Sequence, residues 1–302
     1  MDGIDSILQS PAQFQLKMMS AARSQPLIIF LHLPKTAGTT LAHIIERQYD
    51  SIAILPLYES MFGEELAAIP QKQMDRLRIV TGHLYFGAHA FSSRPGTYIT
   101  MLREPIDRVI SHYYFVRHDP SNYLYDLARK MSLKEFVESC DRQEPNNDQT
   151  RLLAGKCNAA SFGTCSGEML EIAKRHLAEY FSVVGVTEEF DRSLILMKRI
   201  LGWRNPFYRK QNVNEHRLRK ENIPPETLRV IQAYNELDIE LYRNARELFR
   251  KQVCLQGDSF DLETQIFRTL NASCGRLHLF MSSTIDNLRK RYLSPRLIST
   301  HE

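Results

Sequence analysis

The sequence predicts an α/β protein: a central parallel sheet flanked by helices, with a helical extension at the C-terminal end. Two observations carry this expectation. Short apolar runs rich in Ile, Val and Leu recur along the chain and alternate with stretches of helical periodicity. One run, Leu27–Leu33, feeds into a small polar loop with a single lysine, Pro34-Lys-Thr-Ala-Gly-Thr-Thr40, which opens into a helical stretch. Strand, polar loop and helix in that order make an anion site, because unpaired N–H groups and the helix dipole both face the loop.

The elements follow in order. Residues 1–25 form a polar, partly helical lead. Strands are expected at 27–33, 51–55, 78–81, 97–102 and 181–186, the first apolar enough to be buried on both faces. Helices are expected near 39–48, 61–75, 105–118, 132–140, 167–180 and 189–201. Pro105 suits the first turn of its helix, and Pro224-Pro225 breaks the chain before another at 226–251. The main domain is expected over residues 1–254. The extension, 255–302, carries apolar residues at Ile266, Phe267, Leu270, Leu277, Phe280, Ile285, Leu288 and Tyr292, the pattern of one or two amphipathic helices that pack on the main domain or, as the alternative, make a dimer contact.

Composition excludes several classes. With 302 residues, 43% of them hydrophobic, the chain can bury one sizeable core. Its net charge of +4 suits anionic ligands but is too weak to argue for nucleic acid. The five cysteines are sparse and none forms a CxxC pair, so no zinc site is expected. They read as reduced, mostly buried thiols; a Cys157–Cys165 bridge requires an oxidising compartment. No apolar run near the N-terminus approaches the roughly 20 residues of a membrane span, and residues 1–26 lack a signal-peptide pattern. With Met1 at its head, the chain is expected to be complete and cytoplasmic.

The anion loop does not fit the triphosphate P-loop pattern. In G-x-x-x-x-G-K-[ST], Lys35-Thr36 would fill the last positions, but the glycines fall on Ile29 and Pro34. The strand at 97–102 runs into Arg103-Glu104, where an arginine repels a metal and attracts a second anion. Arg103 stands at a strand's C-terminal end, and Ser111 follows in the next helix. A guanidinium fork and a hydroxyl there can clamp one phosphate. The bland alternative is an arginine paired with a nearby acid beside a surface serine.

These residues resemble a known family. Pro34-Lys-Thr-Ala-Gly-Thr-Thr40 resembles the 5′-phosphosulfate loop of sulfotransferases that use 3′-phosphoadenosine 5′-phosphosulfate (PAPS). Arg103-Glu-Pro-x-x-Arg108-x-x-Ser111-x-Tyr113-Tyr114 resembles their 3′-phosphate motif. The similarity is strongest to the carbohydrate branch that includes heparan sulfate 2-O- and 6-O-sulfotransferases, which also shows segments like Asp148-Gln-Thr-Arg-Leu-Leu153 and Val184-Gly-Val-Thr-Glu-Glu-Phe190. Glu104 departs from the usual Asp, tolerable if the acid caps the helix. The lack of an N-terminal anchor implies a soluble, bacterial-type relative. The resemblance implies a P-loop-like three-layer fold, PAPS as donor with PAP as product, no required metal, and a hydroxylated acceptor, a glycan or glycoconjugate.

The implied site follows residue by residue. Lys35 would contact the 5′-phosphate and the bridging oxygen. Thr36, Ala37, Gly38, Thr39 and Thr40 would line the donor, with Arg103 and Ser111 at its 3′-phosphate. In the basic run His216-Arg-Leu-Arg-Lys220, Arg217, Arg219 or Lys220 would lie near that phosphate on a loop over the nucleotide; a solvated charged face is the alternative. Histidine suits the base by its pKa. His83, in Gly82-His83 directly after a strand, matches the proposed base of the 2-O-sulfotransferases, whose second histidine is replaced here by Thr81. His32 reads as structural or as a neighbour of the loop, His112 as facing elsewhere on its helix, and Glu59 and Glu64 as weaker base candidates. Tyr85, Asn147, Gln149 and Arg151 are candidate acceptor contacts, the last three equally readable as a buried network. Tyr85, Phe86 and Tyr114 could stack on a ring or belong to the core. Two other readings stay open: a nucleotide kinase or ATPase, and a non-catalytic binder of nucleotide or glycan.

Overall fold

The computed structural model describes residues 26–57, 67–92, 94–139, 144–155, 165–209 and 217–273. Among the described residues five strands form one sheet: β1 (Leu27–Leu31), β2 (Ile54–Leu57), β3 (Ile79–Gly82), β4 (Gly96–Leu102) and β5 (Phe181–Val186), in the order β2-β3-β1-β4-β5. Every pairing is parallel. Parallel neighbours need crossovers, and helices supply them. The helices are α1 (Gly38–Ile45), α2 (Gln71–Met74), α3 (Pro105–Val116), α4 (Tyr125–Lys130), α5 (Leu133–Ser139), α6 (Asp148–Ala154), α7 (Gly167–Tyr180), α8 (Phe190–Leu201), α9 (Pro225–Tyr234), α10 (Glu236–Cys254) and α11 (259–273). This is the expected α/β architecture of a central parallel sheet with helical crossovers.

The two central strands explain their sequences. Every residue of β1 and β4 is buried, so neither shows polar alternation. The first strand stops at Leu31 rather than Leu33, because the chain already turns at Pro34. The second strand begins at Ile54, after a 3₁₀ turn at Ser51–Ala53. It holds Pro56 and lies at the sheet edge, where a missing N–H breaks no ladder.

The helix expected over 226–251 is two helices, α9 and α10, broken at Asn235. Asn235 is fully buried and its side chain serves backbone partners. It donates to the Ile231 carbonyl at 2.9 Å and the Pro145 carbonyl at 2.8 Å, and accepts from the Asn147 N–H at 3.1 Å. An asparagine that competes for backbone groups in this way ends a helix. Beside it, α6 and α10 cap each other. Asn147 Oδ1 accepts from the N–H groups of Leu237 and Asp238, and the Asp238 carboxylate accepts from those of Gln149 and Thr150.

The described part of the extension joins the main core. Phe260 and Phe267 of α11 are buried in the cluster that contains the sheet, and Phe267 stacks on Phe207. Glu263 takes both Lys198 and Arg199 of α8. Residues 274–302, the lead 1–25, Glu59, Glu64 and His216 lie outside the described residues, as do Cys140, Cys157 and Cys274. Cys165 is half-buried, but Cys254 is exposed, which corrects the expectation of buried thiols there. No helix among the described residues is long and apolar enough to cross a membrane.

Candidate active site

The strand order decides where a ligand can sit. From β1 the chain leaves toward β2; from β4 it leaves the other way, toward β5. The loops after these two adjacent strands therefore diverge and open a crevice at their C-terminal ends. Lys35 stands on one side of this switch point and Arg103 on the other. His83 follows β3, which pairs with β1 on the far side.

The loop Pro34–Ala37 is held in a costly shape. Lys35 and Ala37 have φ of 67° and 65°, left-handed values that cost a non-glycine residue roughly 1–2 kcal/mol each. Hydrogen bonds over-determine it. Thr36, fully buried, donates through Oγ1 to the Leu33 carbonyl at 2.8 Å. Arg103 Nη1 donates to the Lys35 carbonyl at 2.9 Å. Thr187 Oγ1 lies 3.1 Å from the Thr36 carbonyl and 2.9 Å from the Leu102 carbonyl, tying the loop to the end of β4. The N-cap residue of α1 is Ala37, whose methyl group cannot accept from the first-turn N–H groups, so the helix start has no side-chain cap.

Gly38 is required by close approach. A Cβ built there would lie 1.8 Å from Nε2 and 1.9 Å from Cδ2 of His32. The His32 ring is thus wedged beneath the loop, stacked on Phe30 at 5.3 Å and on His83 at 4.2 Å. Register explains the histidine pair: Leu31 is opposite Gly82, so His32 and His83 are the next residues on adjacent strands. Gly82 lets the edge strand close in, since a Cβ there would lie 1.9 Å from the Leu57 carbonyl oxygen. Burial first, then His83 and Lys35, lower the His32 pKa to about 3. Gly38→Ala is expected to cost about 1–3 kcal/mol by overpacking and to disturb the loop, read as a lower Tm in a thermal melt; a wild-type melt would remove the wedge from the account.

His83 is exposed at the crevice. Surrounding protein still lowers its pKa below the usual histidine value, chiefly by desolvation, while a hydrogen bond to the His32 backbone acts the other way. With one ring N–H given to that carbonyl, the other nitrogen carries the lone pair of the neutral ring.

On the facing side, α3 presents Asp107, Ser111 and Phe115 at four-residue spacing, one ridge of the helix. Lys35 lies along it: its backbone meets Arg103 at one end, and its Nζ sits 3.6 Å from the Phe115 ring centroid at the other. The half-buried Ser111 falls between them. Burial, then Arg103, Arg217 and Arg108, lower the Lys35 pKa to about 8. Basic side chains crowd this side of the crevice, and acids beside them offset part of the charge. Arg103 and Arg217 both pair with Asp107, and Lys220 pairs with Glu104 at 3.1 Å. Glu104 also caps α3, accepting from the Asp107 N–H at 2.8 Å, the role expected for the longer acid.

The sequence profile of the Sulfotransferase family matches residues 22–244, which include the loop, both histidines and the arginine cluster. The chain belongs to the Sulfotransferase family. Among its relatives are a heparin sulfate O-sulfotransferase of Drosophila melanogaster, 29% identical over 54% of this chain and 51% of that one, and galactose-3-O-sulfotransferase 3 of Bos taurus, 26% identical over 76% and 58%. Heparan sulfate 2-O-sulfotransferase hst-2 of Caenorhabditis elegans is 26% identical over 75% and 76%. The chain thus spans about half the length of the first curated relatives it matches. Among solved structures, mouse sulfotransferase SULT7A1 complexed with PAP aligns with 17% identity and a TM-score of 0.38, over 75% of this chain and 88% of that one.

In this sulfotransferase-family chain several residues expected on the acceptor side prove to be framework. Asn147, Gln149 and Arg151 are 8%, 1% and 0% exposed, which corrects their assignment as acceptor contacts. Asn147 caps α10. Gln149 brackets Arg103, accepting from its N–H and donating to its carbonyl, each at 3.0 Å. Arg151 bonds to Asn146. Phe86 is core, stacked on His176 at 3.6 Å, and Tyr85 is half-buried against the same cluster. Tyr114 is half-buried beside α3's own cluster and bonds to the Leu218 backbone. Of the basic run, Arg217 joins the arginine cluster, Lys220 is paired to the helix cap, and Arg219 is exposed. His112 is buried, facing Phe136.

Four contributors escape a reading by residue type. Arg108 is fully buried, pairs with Asp148 at 3.1 Å and reaches under the loop to the Pro34 carbonyl at 3.5 Å. Phe115 seats Lys35, Thr187 staples the loop, and Asp107 joins two arginines. All four lie in or beside recognisable motifs, but their roles depend on contacts between segments far apart in sequence. Among the described residues, no group of three or more His, Cys, Asp or Glu is placed to hold a metal ion.

Proposed function

We propose that this chain transfers a sulfuryl group from PAPS to a hydroxyl of a carbohydrate, with His83 as general base. The observation that carries the reading is the placement of two anion-binding elements on the two sides of the switch-point crevice, with a neutral, solvent-accessible histidine beside the first. A donor with phosphates at two separate positions matches two separate cationic elements. The donor set fits as well: Arg217 Nε is shielded from water and has no hydrogen-bond partner among the described residues, and the start of α1 has no side-chain cap.

PAPS supplies the sulfuryl group and a phosphate leaving group. The chain's residues do the rest. Lys35 and the first turn of α1 hold the 5′-side anion and neutralise charge on it. Arg103, Ser111 and Arg217 hold the 3′-phosphate. His83 accepts the acceptor's hydroxyl proton at the ring nitrogen left free by the His32 carbonyl. The names of the relatives, heparan sulfate and galactose sulfotransferases, support a sugar hydroxyl as acceptor. The sparse cysteines support a reducing, cytoplasmic setting.

The test is transfer of label from radiolabelled PAPS to a panel of glycans, without added metal. Label in a glycan supports the reading. PAP binding without transfer to any acceptor would favour the non-catalytic binder, and magnesium-dependent ATP binding without PAP binding would favour the kinase reading.

A further inference from the structure

Asp107 is the hub of the arginine cluster, and its place is fixed by the start of α3. Its backbone N–H is held by the Glu104 side chain in the helix cap. Its Oδ2 accepts from Arg103 Nε at 2.8 Å and from Arg103 Nη2. Its Oδ1 accepts from Arg217 Nη2, and its own carbonyl accepts from the same nitrogen at 3.3 Å. The segment that bears Arg217 is tied to α3 twice more, through Lys220 on Glu104 at its start and through Leu218 on the Tyr114 hydroxyl near its C-terminal end.

Two guanidinium groups brought this close repel each other, and each side chain left alone samples many rotamers. One carboxylate shared between them removes both problems. It also determines which edges remain. Arg103 gives its Nε–Nη2 edge to Asp107 and one Nη1 hydrogen to the Lys35 carbonyl. Arg217 gives Nη2 and keeps Nε without a partner among the described residues. A guanidinium carries five N–H donors, so each arginine retains donors with fixed directions.

We propose that Asp107 is a positioning residue for the 3′-phosphate, holding Arg103 and Arg217 so that their remaining N–H groups face that phosphate together. It does not touch the nucleotide; it acts through the arginines. The proposal rests on the PAPS reading of this site, and one experiment separates the two. Affinities for PAP and for 5′-AMP, which lacks the 3′-phosphate, are measured by calorimetry at one salt concentration for wild type, Asp107→Asn and Asp107→Glu, each with a ligand-free melt.

Wild type is expected to prefer PAP. Asp107→Asn should lose about tenfold or more of its PAP affinity, as for loss of an oriented, charge-assisted contact, while its 5′-AMP affinity stays at the wild-type value. Asp107→Glu keeps the charge on a longer stem and should recover part of the preference. An equal loss for both ligands would reduce Asp107 to a structural role. PAP binding as tight as or tighter than wild type in Asp107→Asn would make the carboxylate a competitor of phosphate, and a Glu variant no better than Asn would remove the charge argument. Each of these results overturns the proposal. A wild type that does not distinguish PAP from 5′-AMP overturns the 3′-phosphate reading itself.

Discussion

Replacing His83 with alanine is expected to lower kcat by about 10²–10⁴-fold, the usual contribution of a positioned general base, while leaving PAP affinity unchanged. The split follows from where the residue stands. His83 lies after β3, on the opposite side of β1 from Arg103 and Asp107, and its ring is exposed to the crevice. In the proposed site the nucleotide would be held by the loop, α3 and Arg217, none of which needs the imidazole. The pH dependence sharpens the test. A base must be neutral to act, and desolvation lowers the His83 pKa below the usual value of about 6.5. The free ring is therefore already neutral at pH 7, and kcat/KM, which reports the free enzyme, should fall only as the pH drops below the ordinary histidine range. The alanine variant should lose that acid limb together with its rate. Wild-type kcat in His83→Ala would sink the base assignment, and a matching loss of PAP affinity would move His83 into the donor site.

His32 shows how far the sequence can be read. Its position at the end of a buried strand, just before the loop, is enough to mark it as structural or as a neighbour of the loop. That it stacks on His83 depends on β1 and β3 being adjacent, which needs the strand order and register. The second histidine of the 2-O-sulfotransferase pattern, two residues upstream, is Thr81 here, and the ring that stacks on His83 comes from the next strand. The parallel sheet is legible because buried parallel strands are apolar throughout, and the loop because its composition differs so sharply from the strand before it. Two kinds of residue are not legible. Asn235 reads as an ordinary polar residue in a helical stretch, and only its buried backbone partners reveal the break. Gln149 and Arg151 look like surface chemistry because their types are usually exposed, yet α6 is buried along its whole length. Polar residues fully enclosed by a mutual-capping network carry no local signature in sequence.

Lys35→Ala is expected to reduce kcat/KM by about 10²–10³-fold, the loss found on removing one preorganised donor from a developing charge, and to weaken PAP binding as well. In the proposed mechanism Lys35 differs from His83 in acting on both steps, because the same ammonium would hold the 5′-side anion and stabilise the leaving group. Its pKa supplies the diagnostic. Burial and the neighbouring arginines bring it to about 8 in the ligand-free protein, and it must be protonated to work. The fraction protonated falls as the pH rises through that value, so kcat/KM, which reports the free enzyme, should decline on the alkaline side near pH 8. Bound phosphate favours the charged form and raises the pKa, so the alkaline limb of kcat should lie higher. PAP binding near pH 8 should accordingly take up protons, measurable by calorimetry in buffers of different ionisation enthalpy. Lys35→Arg tests the same point from the other side: a guanidinium stays charged at these pH values, so the alkaline limb should disappear even where its different shape lowers the rate. An alkaline limb near pH 8 that survives in both variants would mean that another group titrates there, and Lys35 would then be a counter-charge in the loop without the part in transfer assigned to it.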